Sequence, residues 1–274
     1  MYKNIRYTIR ILHASHRSNQ NDRISDLINQ FFKFALLFIF FLTNPSVVKT
    51  SELKKDFQLV FSHDYPVALD FVRQNKQELI SHLNRYNAQP HVAIPVIFPE
   101  ILRYSLLRDK IETSGLKIFY INLGQDYANF SIGLFQMKPS FVERIEKYIK
   151  KGSLGTEFIE LYIYPDTSSA KSIRSERISR LEDETWQLKY LACFITIVEN
   201  KYSEKQWKSI DDKIRFFATA YNTGFWLEEN VIRKQMKKKY FPNGKYSLSR
   251  RYNYSDISVF FYNKNWKKML DGDH

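Results

Sequence analysis

The segment that limits the possible folds most strongly is the apolar run "WQLKYLACFITIVENKY" at residues 186–202. A helix with apolar side chains on nearly every side has no face to turn toward water, so other elements must surround it. The longer segment "LEDETWQLKYLACFITIVENKY" therefore predicts a strong and largely buried helix. The chain has 274 residues, of which 44% are hydrophobic. That is enough for one substantial core around such a helix.

Helical periodicity also appears before and after this segment. It runs through residues 51–87 and through a stretch that opens near Pro90. Pro95 and Pro99 are expected to kink or break that second stretch, because each removes a backbone donor. The segment "SEKQWKSIDDKIRFFATAYNTGF" opens with a capping signal and predicts a helix closed by Gly224.

The segments between these helices are harder to assign. "LKIFYINLG" looks like a strand or a short buried segment, and "SFVERIEKYIKK" predicts a helix with Ser140 as its N-cap. Residues 152–180 are polar and are expected to be rich in loops. The prediction is a mainly α fold, α+β in detail: a helical bundle with a small β or irregular insert near residues 116–136.

The amino-terminal part of the chain carries its most hydrophobic stretch, "FFKFALLFIFFLT" at residues 31–43. Its uninterrupted run, Phe34–Leu42, is too short to cross a bilayer as a helix, which needs about 20 residues. The run suits the apolar region of a secretory signal. It is alternatively a retained membrane anchor or a buried core helix. We therefore divide the chain into a basic amino-terminal segment, residues 1–50, and a single domain, residues 51–274.

The net charge of +13 predicts an anionic partner at long range. Nucleic acid, anionic lipid and cell-wall polymers all qualify, and a general scatter of solvated lysines is the alternative. The single cysteine, Cys193, excludes an intramolecular disulfide and is expected to be a buried small hydrophobe. The six histidines show no metal-ligand spacing, so neither a metal nor another cofactor is expected.

Three further segments occur in an informative order: "PHVAIPVIFPE" at 90–100, "SIGLFQMKPSF" at 131–141 and "FATAYNTGF" at 217–225. Together they resemble motifs of the lysozyme-like superfamily, within it the bacterial lytic transglycosylases and goose-type lysozymes. The resemblance covers roughly residues 85–226. It implies a lysozyme-like fold whose insert lines the substrate cleft.

The same resemblance implies roles for six residues. Glu100, ten residues after the proline that opens its helix, would be the general acid, and Asp126 is a candidate water-activating base. Gln136 and Asn222 would bind N-acetyl groups and ring hydroxyls, beside Met137, and Tyr221 would offer a stacking face and a phenol donor. Gln136 and Asn222 should then share a cleft with Glu100.

An acid of this kind must be protonated near neutral pH, and apolar neighbours favour that by raising its pKa. The sequence also departs from the family. Ile101 follows the glutamate where the family has serine, and 133 − 100 = 33 residues separate Glu100 from Gly133, a longer gap than the family shows. Glu112 is therefore an alternative acid.

The resulting expectation is a peptidoglycan-cleaving enzyme, exported to the bacterial envelope, that acts on the β-1,4 bond between MurNAc and GlcNAc. Whether it is a hydrolase or a transglycosylase stays open. One alternative is a non-catalytic, glycan-binding or structural member of the same fold. Another is a protein that binds nucleic acid or an anionic membrane through its basic, aromatic tail, residues 244–268.

Overall fold

The computed structural model describes residues 55–107, 113–152, 154–242 and 250–272, and these are mainly helical. The α-helices of these ranges are α1 Phe57–Val60, α2 Asp64–Gln74, α3 Lys76–Arg85, α4 Pro90–Leu107, α5 Ser114–Leu123, α6 Pro139–Lys150, α7 Ala170–Glu182, α8 Glu184–Lys201, α9 Ile210–Thr223, α10 Glu229–Gln235, α11 Tyr254–Phe261 and α12 Lys267–Asp271. A 3-10 helix, Thr156–Tyr162, precedes α7, and a π-helical turn, Tyr262–Trp266, follows α11.

Helix α4 lies at the centre of the domain and packs against α2, α9 and α11. Every residue from Val92 to Leu102, apart from its prolines, is at most 2% exposed. The expected break does not occur, because α4 continues through both Pro95 and Pro99. A proline inside a helix costs about 3 kcal/mol. The burial of the side chains from Val92 to Leu102 offsets that cost, so tertiary packing overrides local propensity here.

Helix α8 agrees with the sequence prediction, and α9 agrees with it at its carboxyl end. Asp183 caps α8 by accepting a hydrogen bond from the backbone N–H of Trp186 at 2.9 Å, and ten residues of the helix are buried, Cys193 among them. Ser209, and not Ser203 at the opening of the predicted segment, caps α9 in the same way. Gly224, with φ of +128°, ends α9, a backbone conformation that favours glycine.

The predicted β or irregular insert is wrong in its first half. "LKIFYINLG" forms most of α5, which buries Tyr120 but leaves Ile118 61% and Phe119 55% exposed. Leu116 and Leu123 are also turned outward. The apolar residues resembled a buried strand because a sequence pattern does not reveal that a helix turns such side chains toward the surface. The second half, a tight turn at residues 132–137, is irregular as expected.

Two helix boundaries also differ from the prediction. Helix α6 begins at Pro139, with Lys138 rather than Ser140 as its N-cap residue, since proline suits a first helical position where its missing N–H has no partner to lose. The supposed loop at residues 152–180 holds the 3-10 helix and most of α7. The polar composition of α7 concealed it, although Ser169 caps it through its side chain.

The described part of the aromatic tail, from residue 250 onward, packs its rings largely into the core. Two short strands, β1 Lys239–Phe241 and β2 Tyr252–Asn253, pair antiparallel and lead into α11. Tyr254, Phe261 and Trp266 are each at most 5% exposed. These rings are therefore not available for stacking on a nucleic acid.

A buried ion pair holds α6 against α7. The guanidinium of Arg177 donates from Nη2 to Oε2 of Glu146 at 2.7 Å and from Nε to Oε1 at 2.9 Å. The hydroxyls of Tyr164 and Tyr190 donate to the same carboxylate. A buried ion pair stabilises a fold only when its charged groups are also well hydrogen-bonded, and here four donors contact the carboxylate of Glu146. The network fixes α6, whose first turn forms part of the site described below.

The residues from Asp56 onward form one compact unit. The apolar run at the amino terminus, which we interpret as a signal or an anchor, lies outside the described residues. Within the described ranges, none of the helices combines the length and the apolar character needed to cross a bilayer.

Candidate functional site

A cavity of about 610 Å³ opens between α4, the turn at 132–137, the first turn of α6 and the carboxyl end of α9. It brings together five of the six residues that the sequence singled out. The lining residues are Glu100, Arg103, Asn129, Ser131, Gln136, Met137, Lys138, Ser140, Phe141, Tyr221, Asn222, Thr223, Gly224, Trp226, Tyr240 and Pro242.

One wall of the cavity is a tight turn closed by two backbone hydrogen bonds between Ile132 and Met137. Gly133 has φ of +68°, and a Cβ added there would lie 1.8 Å from Nε2 of Gln187. Gln187 is fully buried on α8, accepts a hydrogen bond from the N–H of Phe135 at 2.7 Å and donates one to the carbonyl oxygen of Leu181 at 2.7 Å. The turn is therefore held from behind by one amide side chain.

Gln136 occupies a strained position in this turn, with φ of +51°. Few residues other than glycine adopt this region, and the cost is tolerated where the surroundings fix the backbone. Both the backbone N–H and the side-chain Nε2 of Gln136 donate to the carbonyl oxygen of Gly133, at 3.1 and 2.8 Å. This arrangement leaves the side-chain oxygen of Gln136 to accept hydrogen bonds from a ligand in the cavity.

Tyr221, on α9, lines the cavity but directs its hydroxyl elsewhere. The hydroxyl donates to the backbone carbonyl oxygen of Phe135 at 2.8 Å, and the residue is 7% exposed. Its ring packs against Phe141 and Phe194. The expectation that the phenol donates to a glycan is thus not supported, because the proton is already used to brace the turn.

Glu100 projects from α4 into the base of the cavity and is only 2% exposed. Burial raises the pKa of its carboxyl above the usual value, while Arg103, the hydroxyl of Tyr254 and Lys138 lower it by less. The hydroxyl of Tyr254 also donates to the carbonyl oxygen of Val96 at 3.1 Å. A phenol has a single proton, so when it bonds to Val96 it can only accept from a protonated Glu100.

Arg103 contacts Glu100 in an unusual way. One nitrogen, Nη1, lies 2.8 Å from Oε1 and 2.6 Å from Oε2, so the pair lacks the two-nitrogen fork that is typical of strong arginine–carboxylate pairs. The guanidinium lies over the rings of Phe241 and Tyr254, at 5.1 and 5.9 Å from their centroids. Its Nε is buried without a hydrogen-bond partner. The two rings hold the guanidinium of Arg103 in place, and one of its nitrogens contacts both oxygens of Glu100.

The remaining sequence candidates are divided between the cavity and other places. Asn222 is exposed and lines the cavity, whereas Met137 lines it but is 1% exposed. Asp126 lies on the exposed turn after α5 and is not among the lining residues, so the structure does not place it as a water-activating base. Glu112 lies outside the described residues.

Sequence reasoning missed several lining residues. Trp226 is 38% exposed at the rim, and the guanidinium of Arg144 lies 5.2 Å from its ring centroid. A Cβ at Gly224 would come within 2.8 Å of that indole, so the glycine allows the ring to fold back over the end of α9. The position of Trp226, two residues after the "AYNTG" segment, was the available signal. Arg103 lies one helical turn after Glu100, a spacing that predicts contact on a helix.

The charges that line the cavity are unbalanced. Glu100 is the one carboxylate among the described lining residues, and Arg103 contacts both of its oxygens. Lys138 adds an exposed cation, and the amino end of α6 adds partial positive charge beside it. No cluster of metal-ligating side chains occurs in the part of the chain that the structure describes.

No family model matches this chain, and no curated protein or solved structure shows significant similarity to it.

Proposed function

We propose that this protein cleaves the β-1,4 bond between MurNAc and GlcNAc of peptidoglycan, as a lytic transglycosylase with a lysozyme-like fold. One observation carries the proposal. The buried Glu100 lines a cavity together with Gln136 and Asn222, the residues to which the three sequence motifs assign substrate binding. These residues are up to 222 − 100 = 122 positions apart in the sequence.

The chemistry starts with proton donation. The carboxyl of Glu100 gives its proton to the glycosidic oxygen, and the bond from that oxygen to the anomeric carbon breaks. The 6-hydroxyl of the same MurNAc residue then attacks the anomeric carbon and forms a 1,6-anhydro ring. Its proton passes to the carboxylate of Glu100, which restores the acid, and no water is consumed.

The lack of a second carboxylate among the lining residues that the structure describes favours this route over hydrolysis. An inverting hydrolase needs a base about 6.5–9.5 Å from the acid to activate water, and a retaining one needs a nucleophile at about 5–5.5 Å. Among the described lining residues Glu100 has no carboxylate partner, and Asp126 is not in the cavity. A mechanism that uses the hydroxyl of the substrate itself needs neither group.

Mass spectrometry of the products tests the proposal. Purified peptidoglycan is digested with the full-length protein and with the Glu100→Gln variant. We expect 1,6-anhydro muropeptides from the wild type and a loss of at least about 100-fold in the variant, the usual effect of removing a general acid. The matched control is Glu204→Gln, because Glu204 is exposed and not among the lining residues.

Two results would contradict the proposal. Digestion by Glu100→Gln at the wild-type rate would exclude Glu100 as the acid. Products with reducing ends in place of anhydro ends would show a hydrolase and would require a second carboxylate or an activated water.

A second candidate function, glycan binding without cleavage, is favoured by the contact with Arg103. A guanidinium bonded to both oxygens of Glu100 stabilises the carboxylate form, which has no proton to donate. If the wild type binds peptidoglycan and yields no soluble products at any pH, this second function replaces the first.

The proposal also requires that the protein reach the cell wall. We infer that residues 1–50, with the apolar run Phe34–Leu42, act as an export signal or a membrane anchor. Fractionation of a bacterium that expresses the full chain tests this point, since a protein found only in the cytosol could not meet its substrate.

A further inference from the structure

Two cations beside the cavity have no ionic partner within the described residues. Lys138 lines the cavity and is exposed, and Arg144 lies over Trp226, which also lines it. Neither residue takes part in any of the ion pairs formed by the described side chains. By contrast Arg103 has Glu100 as its partner.

Nearby acids do not balance these charges, because Glu100 interacts with Lys138 but forms its ion pair with Arg103. Glu143 is adjacent to Arg144 in the sequence, but its carboxylate accepts hydrogen bonds from the hydroxyl of Tyr120 and from Arg177. The other lining residues that bear polar side chains are neutral, and they are Asn129, Ser131, Gln136, Ser140, Tyr221, Asn222, Thr223, Trp226 and Tyr240. The mouth of the cavity therefore carries uncompensated positive charge, which attracts an anionic group.

The two cations are held differently. Lys138 is the N-cap residue of α6, with extended backbone and no capping hydrogen bond from its side chain, so its ammonium is free to reach over the cavity. The guanidinium of Arg144 is steadied by its contact with the indole of Trp226, at 5.2 Å. An aromatic ring that faces a sugar and a cation that binds a carboxylate are a suitable pair for an acidic sugar unit.

We propose that the cavity selects a glycan that bears a carboxylate, and that Lys138 and Arg144 bind this carboxylate at the cavity mouth. The inference rests on the proposed function, because it identifies the class of glycan that the same site takes. The carboxylate can belong to an ether-linked acid on the sugar itself or to a peptide attached to it, and the two sources have the same chemistry.

Binding measurements separate this inference from the question of cleavage. Full-length protein with the Glu100→Gln change binds its ligand without cutting it, and titration calorimetry gives its affinity for three probes. These are chitotetraose, which is neutral, the peptide-free tetrasaccharide of alternating GlcNAc and MurNAc, and the same tetrasaccharide with its peptides. We expect about tenfold tighter binding of the carboxylated probes, as for one or two partly exposed charge-assisted hydrogen bonds.

The variants Lys138→Gln and Arg144→Gln, each made in this background, should reduce that preference, which is measured as the ratio of the affinity for the carboxylated probe to the affinity for chitotetraose. The preference should also shrink as salt is raised, because exposed charges are screened. Lys147→Gln is the matched control, since Lys147 is an exposed cation of the same helix and does not line the cavity. Lys138→Gln alters only an exposed side chain, so it tests the inference even if Arg144→Gln disturbs Trp226.

Each outcome has a definite meaning. A preference for both carboxylated probes places the recognised group on the sugar, and a preference for the peptide-bearing probe alone places it on the peptide. Equal affinity for all three probes overturns the inference, as does a Lys147→Gln effect equal to that of Lys138→Gln. Cleavage of peptidoglycan without any carboxylate preference refutes this inference alone. A carboxylate preference without cleavage by the wild type refutes the enzymatic proposal alone.

Discussion

The hydroxyl of Tyr221 donates a hydrogen bond to the backbone carbonyl oxygen of Phe135, at a distance of 2.8 Å. This bond ties the end of α9 to the turn at residues 132–137, so the second and third sequence motifs are physically joined. Both groups are buried, since Tyr221 is 7% and Phe135 1% exposed. Tyr221 is thus a support for the cavity wall rather than a group that reaches a ligand through its hydroxyl.

Tyr221→Phe should lower the free energy of unfolding by about 1–3 kcal/mol, because it leaves a buried carbonyl without a donor. Urea denaturation followed by circular dichroism measures the change. Tyr104→Phe is the control, since Tyr104 is 36% exposed and should shift stability by no more than about 0.5 kcal/mol. Equal effects for the two variants would show that the Tyr221 bond contributes nothing specific.

Alanine at Gly133 should be far more damaging than alanine at Gly152. Both glycines have positive φ, but an added Cβ meets Gln187 and the carbonyl of Leu181 at position 133 and nothing within 4 Å at position 152. We expect a loss of about 2–5 kcal/mol for Gly133→Ala, from strain and overpacking. Gly152→Ala should cost about 1–2 kcal/mol, from the left-handed backbone alone.

Thermal unfolding of the two proteins side by side measures this difference. Comparing the two variants separates backbone strain from steric exclusion, because both sites have positive φ and only Gly133 has close neighbours. If the two variants lose the same stability, the turn at residues 132–137 has enough freedom to move away from α8, and the close packing described above does not restrict it.

Gln136→Gly should separate stability from binding. Glycine relieves the strain of the left-handed backbone at position 136, but it also removes the side-chain hydrogen bond to Gly133. These effects oppose each other, so the free energy of unfolding should change by no more than about 1 kcal/mol. Affinity for chitotetraose, measured by calorimetry, should fall about 3–10-fold, since a cavity acceptor is lost. Unchanged affinity would reduce Gln136 to a purely structural residue of the turn.

The pH dependence of stability should reveal the buried acid. Because burial raises the pKa of Glu100, the folded protein holds this proton more tightly than the unfolded chain, whose glutamates titrate near about 4.3. The stabilisation that protonated Glu100 contributes to the folded state is therefore complete below that pH. It is lost as the pH rises through the pKa of Glu100 in the folded state. Glu100→Gln should flatten this part of the stability profile, measured by urea denaturation at several pH values.

Arg103→Gln should shift the pKa of Glu100 while leaving the acid itself in place. Arg103 lowers the pKa of Glu100, so its removal should raise that pKa further and move the alkaline limb of the proposed peptidoglycan cleavage to higher pH. Lys138, Tyr221 and Tyr254 also interact with the carboxyl and are unchanged in this variant. Arg73→Gln, at an exposed pair on α2, is the control. A limb that stays in place would mean that another group controls it.

The sequence predicted the buried helices well and the segments between them poorly. The apolar pattern of α8 and the glycine that ends α9 leave few alternatives, because each feature is local. By contrast α5 exposes the apolar side chains that suggested a strand, and α4 retains two prolines because neighbouring helices surround it. Both outcomes depend on tertiary packing, which short-range patterns do not contain.

For the candidate site, motif order predicted which segments are close but not what each side chain does. Glu100, Gln136 and Asn222 line one cavity, yet the hydroxyl of Tyr221 points to Phe135, and Asp126 lies outside the cavity. The support given by Gln187 was not foreseen, since a single glutamine within an apolar helix has no sequence signal for its partner.

Gln187 and the carbonyl of Leu181 both obstruct Gly133, at 1.8 and 2.5 Å from an added Cβ. This has a genetic consequence. A smaller residue at position 187 would remove only one of the two obstacles, so it could not act as a suppressor of Gly133→Ala. An intragenic suppressor would have to displace the backbone at the end of α7, where Leu181 lies.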